Sequence, residues 1–298
     1  MQVLLLYLTV VLIWGSTWIV IPFQFGDVAN ELSVAYRFGI AAILLYAYAA
    51  LTRRKIALPR QAYFFVFVQG SLLFSLNYFL VYYGTAYITT GLVAVVFSTV
   101  VLFNAVFSKL FFGSPIEPRV LVAAAIGFSG IALIFWPEVS VVSFKDYTVI
   151  GVTYVLVATM VASLGNMAAV INTRHELPVV AVNAHAMAWA AVTSIIIAQL
   201  LGRPLNFSWE PDYLISLVFL AVFGSAIAFG CYLALIRRIG AAKAAYSSVL
   251  FPVVALGLST VFEGYQWTAA AVGGIILTLI GNWLILNQSV KKTTSTES

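Results

Sequence analysis

The chain has 298 residues, of which 63% are hydrophobic and only 8% are charged, and its mean hydropathy is +1.04. Soluble domains carry about 25% charged residues, so this composition excludes an ordinary soluble protein and indicates a membrane protein. The net charge of +5 comes from 15 Lys and Arg against 10 acids. These basic residues lie between apolar runs, where they report membrane orientation, so no nucleic-acid partner is expected.

Ten apolar segments follow one another along the chain, each near the roughly 20 residues that a membrane-spanning helix needs. They predict an all-α polytopic membrane protein with ten transmembrane helices, embedded in the lipid bilayer of a cell membrane. A β-barrel is excluded because the apolar blocks are too long to alternate residue by residue. The predicted spans are residues 3–21, 32–51, 62–83, 91–112, 119–136, 149–171, 179–201, 213–235, 241–262 and 267–287.

The basic residues predict which end of each span faces the cytoplasm. With the amino terminus inside, only Lys145 and Arg203 fall outside, and twelve others fall on the cytoplasmic side, as the positive-inside rule requires. An even number of spans places both termini in the cytoplasm, and the polar tail 291–298 is predicted to be disordered. The twelve are Arg53, Arg54, Lys55, Arg60, Lys109, Arg119, Arg174, Arg237, Arg238, Lys243, Lys291 and Lys292.

An internal repeat divides the chain into two predicted five-helix units, residues 1–146 and 147–290. Since five is odd, the two units insert in opposite orientations, which is typical of carriers that alternate between inward and outward openings. An offset of 151 residues aligns Ala94 with Ala245, Val101 with Pro252, Phe112 with Glu263 and Gly130 with Gly281.

Three features together resemble a known family. The first span contains Trp14-Gly15-Ser16-Thr17, and Arg37 lies early in the second span. Pro252 is followed by Glu263-Gly264, Gly273-Gly274 and Gly281. In this order and spacing they resemble an EamA-type member of the drug/metabolite transporter superfamily. The resemblance implies a ten-helix carrier of small metabolites, of which many are bacterial inner-membrane exporters of amino acids. The first repeat departs from the family pattern, with Val101 and Phe112 in place of the proline and the acid.

Polar side chains recur at helical spacing on two spans and predict a shared cavity. On the third span Ser71, Ser75, Tyr78, Tyr82 and Thr85 share one helical face, and on the sixth Thr159, Ser163, Asn166 and Thr173 do the same. Hydroxyls that bond their own helix and tyrosines that pack between helices are the alternative. Substrate contacts are predicted for Trp14, Arg37, Ser75, Tyr78, Tyr82, Asn166, Asn183 and His185, and a hinge at Pro252, which removes a helical hydrogen bond.

Two titratable residues inside the spans allow more than one role. Arg37 lies about 8 Å from the outer end of its span, where it either reaches the interface or binds a substrate carboxylate or phosphate. His185 either relays protons or bonds a neighbouring carbonyl. No Asp or Glu lies deep inside a predicted span, which argues against proton coupling through a buried acid.

The leading hypothesis is export of a small metabolite, most simply an amino acid or a related compound, by alternating access. A carrier of phosphorylated or sugar-linked solutes is the first alternative, and a passive channel or lipid scramblase is the second. An enzyme is not expected, because the spans hold no acid pair and no set of metal ligands. The single cysteine, Cys231, excludes a disulfide framework. No cofactor is predicted, and monomer and dimer both stay open.

Overall fold

The computed structural model describes residues 2–88, 93, 96–134, 136, 146–262 and 267–286. Several residues that carry sequence predictions lie outside these ranges: Lys145, Glu263, Gly264 and the tail 291–298. All the regular structure in the described part of the chain is helical, and its helices follow the order of the predicted spans.

We number the helices α1 to α10 in chain order. The start of the fourth helix lies next to residues outside the described ranges. Every other helix end falls within four residues of the end of the corresponding predicted span. Long apolar runs between polar or Pro- and Gly-containing breaks explain this agreement, because a helix satisfies every backbone polar group inside a bilayer. The helices are α1 Gln2–Val20, α2 Asn30–Leu51, α3 Ala62–Thr85, α4 Val100–Phe112, α5 Pro118–Ile134, α6 Asp146–Arg174, α7 Val179–Leu200, α8 Pro211–Ile239, α9 from Ala241 to Phe262, and α10 Ala269–Leu286.

Among the described residues, six helices are long and apolar enough to cross a membrane: α2, α3, α6, α7, α8 and α9. The other four are shorter apolar helices and lie where the four remaining spans are predicted. Large apolar side chains such as Leu5, Ile43 and Leu110 are exposed on the outside of the bundle, where lipid would cover them. The chain is therefore a multi-pass membrane protein, and the full count of ten spans and the side of the termini stay predictions.

The two groups of five helices pack in the same pattern. Helix α1 packs on α8 and α9, and its counterpart α6 packs on α3 and α4. Helix α2 lies against α7, and α5 lies against α10. The α5–α10 contact depends on glycine. A Cβ atom on Gly274 would lie 2.5 Å from the Gly130 carbonyl oxygen, and a Cβ atom on Gly130 would lie 2.5 Å from the Gly274 carbonyl oxygen.

In the part of the chain that the structure describes, three of these helices contain an irregular segment. A π-helical segment, Gly70–Leu76, interrupts α3, and a second one, Val222–Ile227, interrupts α8, the third helix of the other half. Helix α9 contains a 3₁₀ segment, Tyr246–Leu250, directly before Phe251 and Pro252. Such segments change which side chains and carbonyl groups face the centre, and they are frequent at functional sites.

Candidate functional site

A cavity of about 120 Å³ lies at the centre of the bundle, between the two groups of five helices. Side chains from α1, α2, α3, α4, α6, α8 and α9 line it. Its volume is below the range typical of drug-sized ligands, so it suits a small solute. The lining includes Trp14, Thr17, Ile21, Arg37, Leu73, Asn77, Tyr78, Val81, Tyr82, Phe97, Val100, Ala162, Asn166, Phe229, Tyr232, Ala245, Ser247, Ser248 and Phe251.

Arg37 brings a positive charge into this cavity. It is 2% exposed, and within the described ranges it has no ion-pair partner. Its Nε donates a hydrogen bond to Ser225 Oγ at 2.8 Å and its Nη2 donates to the Gly224 carbonyl at 3.3 Å, whereas Nη1 has no partner. Its Cζ lies 4.7 Å from the centre of the Tyr78 ring. A buried cation with a free N–H group and no counter-ion favours an anionic ligand.

The π-helical segment of α8 provides the groups that accept hydrogen bonds from Arg37. The Gly224 carbonyl in this segment accepts hydrogen bonds from Arg37 Nη2 and from Trp14 Nε1, the latter at 2.9 Å. A Cβ at Gly224 would lie 3.0 Å from Arg37 Nη2 and 3.2 Å from Thr17 Cγ2, so glycine lets the guanidinium approach the backbone. The segment therefore joins α1 and α2 to α8 at the cavity wall.

Aromatic rings form much of the wall. The Trp14 ring lies 4.7 Å from the Phe229 ring, 5.1 Å from the Tyr232 ring and 5.6 Å from the Phe251 ring, measured between centroids. Tyr82 contacts Phe25, which is exposed and does not belong to the cavity lining, with the ring centroids 5.4 Å apart. These rings form an aromatic box, and Arg37 is the one cationic side chain in the described lining.

A buried layer of polar side chains lies at the end of the cavity that faces α9 Ala241. Asn104 Oδ1 accepts hydrogen bonds from Ser163 Oγ at 2.6 Å and from Asn166 Nδ2 at 3.3 Å. The Asn104 amide donates through Nδ2 to the Ala241 carbonyl at 3.4 Å. All three polar side chains are at most 2% exposed. These hydrogen bonds connect α4, α6 and α9. They lie one helical turn from the aromatic rings that line the cavity.

Two acceptor oxygens among the residues that line the cavity lack partners. Asn166 Oδ1 and Ser248 Oγ are buried and receive no hydrogen bond. Both residues line the cavity. An unpaired buried acceptor costs about 1–3 kcal/mol, which a ligand N–H group would recover. The cavity thus offers donors at Arg37 and acceptors at Asn166 and Ser248.

At the opposite end, a buried acid links three elements. Glu31 of α2 is 1% exposed, accepts a hydrogen bond from the Tyr83 hydroxyl, and lies 4.0 Å from Arg203 Nε in the loop after α7. The hydrogen bond to Tyr83, together with the nearby Tyr83 hydroxyl and Glu31 carboxylate, raises the pKa of Arg203. Because Glu31 is engaged here, it does not neutralise Arg37.

The structure brings five of the predicted site residues together and places three elsewhere. Trp14, Arg37, Tyr78, Tyr82 and Asn166 line the cavity. The other three have different surroundings. Ser75 bonds Ser194 of α7 at 2.7 Å, Asn183 is buried in α7 with its amide unpartnered, and His185 lies between the Tyr46 and Tyr63 rings.

The π-helical segment explains why the polar stripe of α3 divides. Ideal α-helical spacing would place Ser71 and Ser75 on the face of Tyr78 and Tyr82. Hydrogen bonds to the fifth residue widen the turn and reduce the rotation per residue within Gly70–Leu76. The two serines therefore face α7, where Ser71 bonds Thr193 at 3.0 Å, and the two tyrosines face the cavity.

The geometry of His185 matches the second of its two predicted roles, a bond to a neighbouring carbonyl. Its Nδ1 lies 2.9 Å from the Ala181 carbonyl one turn earlier, and it is outside the cavity lining. Pro252 is buried at the second residue of the α-helical segment that follows the 3₁₀ segment of α9. This position marks a break in α9 next to cavity residues Ser247 and Ser248, and its role as a hinge stays a prediction.

Sequence reasoning missed the site residues of α8 and α9 and the asparagine of α4. Phe229 and Tyr232 lie in an apolar run without a polar stripe, so no periodic signal distinguishes them from core residues. Asn104 interrupts an apolar run, which was a usable signal. Ser247 and Ser248 follow an alanine-rich turn, and the 3₁₀ geometry that turns them inward has no clear sequence pattern.

Comparisons with known proteins assign the fold and the class. A solved crystal structure with 19% sequence identity covers 96% of this chain and 97% of its own length, with a TM-score of 0.78, and therefore has the same fold. Relatives include the protein PagO of Salmonella typhimurium, 23% identical over 95% of this chain and 92% of its own length. Another is the uncharacterized inner membrane transporter YedA of Escherichia coli, 29% identical over 92% and 89%.

A multi-pass helical bundle whose cavity is lined by helices from both halves of the chain is an architecture that membrane transporters share. The model of the EamA-like transporter family matches residues 1–136 and 149–287, so the chain belongs to that family. The resemblance to EamA-type drug/metabolite transporters is thereby confirmed. The uncharacterized transporter YoaV of Bacillus subtilis is also related, with 23% identity over 94% of this chain and 95% of its own length.

Proposed function

We propose that the chain exports a small zwitterionic metabolite, most simply an amino acid or a close derivative, across the bacterial inner membrane by alternating access. The observation that carries this proposal is Arg37, a buried cation in a central cavity with a free Nη1 and no ion-pair partner among the described residues. A planar guanidinium binds a carboxylate through two parallel hydrogen bonds, which suits this position.

Two unpartnered acceptors in the cavity lining support a zwitterion over a simple anion. The unpartnered acceptors Asn166 Oδ1 and Ser248 Oγ accept hydrogen bonds from an ammonium group, while Arg37 binds the carboxylate. The aromatic rings between these ends contact an apolar side chain. A phosphorylated solute fits less well, because Arg37 is the one cationic side chain that lines the described cavity and a phosphate usually recruits several.

A carrier is favoured over a channel by the family to which the chain belongs, whose model describes transporters. The Asn104 contacts lie near one end of the cavity, and the contacts of Glu31 lie near the other. We expect the two five-helix groups to move against each other so that these ends open in turn. A channel or scramblase would require a continuous path, and would give flux without saturation.

The test is uptake into proteoliposomes from a panel of labelled compounds that differ by one group. We would compare amino acids, the matching carboxylic acids without the amine, the matching amines without the carboxylate, and phosphorylated sugars. The proposal predicts saturable uptake of amino acids and at least tenfold weaker uptake of both truncated series. Preference for phosphorylated sugars would favour the alternative carrier, and linear flux of every compound would refute a carrier.

Two variants test which group of the solute contacts Asn166. Asn166→Leu removes the acceptor and should weaken amino-acid uptake more than uptake of the matching carboxylic acid. Ser75→Ala changes a buried serine of α3 that does not line the cavity, and should leave both unchanged. Equal effects of Asn166→Leu on both compounds would contradict an ammonium contact at this residue.

A further inference from the structure

A second cavity, of about 430 Å³, lies at the bundle end that the positive-inside rule predicts to be cytoplasmic. It is formed by the end of α4, the end of α6, the end of α8 and the start of α9. Its lining is more polar than that of the central cavity and includes two arginines. The lining residues are Ser108, Phe112, Ser114, Val170, Thr173, Arg174, Glu176, Ile236, Arg237, Gly240 and Ala241.

The second cavity is one helical turn away from the central one on three helices. On α6, Asn166 lines the central cavity and Val170 the second; on α8, Tyr232 and Ile236 have the same relation. On α9, the corresponding pair is Ala245 and Ala241. Four residues of helix rise by about 6 Å, so a single layer of side chains separates the two cavities.

Asn104 occupies that layer. Its amide bonds Ser163 and Asn166 on α6 and the Ala241 carbonyl on α9, as described above. Two of these partners belong to the lining of one cavity or the other: Asn166 to the central cavity and Ala241 to the second. Asn104 thus lies between residues that line the two cavities.

The arginines of the second cavity are available for a ligand. Arg174 and Arg237 form no ion pair within the described ranges, and Arg174 Cζ lies 4.2 Å from the centre of the Phe112 ring. Glu176 also lines the cavity, so its net lining charge is +1 from these three groups. Clefts lined by one prevailing charge concentrate ligands of the opposite charge.

We infer that the second cavity is an anion-attracting vestibule that collects the carboxylate-bearing solute from the cytoplasm and passes it to Arg37 when the Asn104 layer opens. This inference rests on the proposed carrier function. Arg174 and Arg237 are then specificity-determining residues for the inner side alone. Arg37, in contrast, would bind solute that enters from either side of the membrane.

A substrate-free experiment tests the electrostatics first. Cys231→Ser removes the native thiol, and Val170→Cys places a new one in the second cavity. Membrane-impermeant methanethiosulfonates, one with a sulfonate and one with a trimethylammonium group, are applied to inside-out vesicles. We expect Arg174→Gln with Arg237→Gln to lower the anionic-to-cationic labelling ratio about fivefold. Arg238→Gln, next to Arg237 but outside the lining, should leave the ratio unchanged.

Transport then tests the role. With the amino acids of the uptake panel as probe, the double variant should raise the half-saturating concentration about tenfold from the inner side and leave the outer side unchanged. An unchanged labelling ratio, or equal kinetics in the double variant and Arg238→Gln, would overturn the vestibule and leave the carrier standing. Absence of saturable flux in the wild type would instead overturn the carrier, and the vestibule with it.

Discussion

Replacement of Arg37 by glutamine should separate function from stability. The change removes two hydrogen bonds of a charged group, each of which contributes about 1.5–3 kcal/mol, and a cation–π contact that contributes about 0.5–2 kcal/mol. It also removes the desolvation penalty of a buried cation, which is several kcal/mol. The opposing contributions nearly cancel, so we expect the free energy of unfolding to change by less than about 2 kcal/mol.

The same change should have a large effect on the solute. A carboxylate that binds the guanidinium through two hydrogen bonds loses both, and with them at least about 3 kcal/mol of binding free energy, which corresponds to a decrease of roughly 100-fold in affinity. Arg37→Lys keeps the charge but loses the planar pair of donors, so we expect an intermediate decrease of about tenfold.

The assay is thermal unfolding of the purified variants in detergent, with and without an amino acid that the wild type transports. Wild-type protein should gain thermal stability from that amino acid, and Arg37→Gln should gain none while keeping its own melting temperature within a few degrees. A loss of stability of about 3–5 kcal/mol in Arg37→Gln would refute the reasoning, because that is the cost of breaking a buried ion pair. Retained ligand stabilisation would also refute it.

Three further substitutions test the packing and the site boundaries. Gly274→Ala should destabilise the fold by about 1–3 kcal/mol through overpacking, measured by thermal unfolding, whereas Gly273→Ala meets open space and should not. His185→Gln should leave amino-acid uptake within about twofold of the wild type, because this residue does not line the cavity. Tyr83→Phe should cost about 1–3 kcal/mol, because a buried carboxylate loses a hydrogen bond, and Tyr87→Phe, an exposed neighbour, should not.

Each of these has a clear contradictory result. Equal melting temperatures for Gly274→Ala and Gly273→Ala would mean that α5 and α10 do not approach as closely as described. Loss of uptake in His185→Gln with a normal fold would return this histidine to the transport site. A normal melting temperature for Tyr83→Phe would show that the Glu31 contact contributes nothing to stability.

The sequence predicts the helices well because a bilayer allows little else. Apolar runs of membrane-spanning length must be helical, and the breaks between them are polar or contain Pro and Gly, so bounds such as those of α2 and α7 follow from composition. The close α5–α10 contact is also foreseeable, since Gly130 and Gly274 occur among other small residues.

The site is only partly predictable, because its geometry depends on local departures from the α-helix. Arg37, Tyr78 and Tyr82 stand out in sequence as a charge and as aromatic residues on one face. The helical spacing places Ser75 on the same face, but in the structure Ser75 points toward Ser194. The sequence contains no signal for the π-helical turn that causes this difference. The second cavity depends on how four helix ends meet, which the spacing within any one helix does not reveal.

The central claim is that Arg37 binds the solute in a carrier that opens alternately to the two sides. Counter-flow in proteoliposomes tests it most directly: vesicles loaded with excess unlabelled amino acid are diluted into a trace of the labelled compound. We predict transient accumulation of label above equilibrium in the wild type, about 100-fold less in Arg37→Gln, and full activity in the control Ser75→Ala. Label that only equilibrates in the wild type, or accumulates equally in Arg37→Gln, would contradict it.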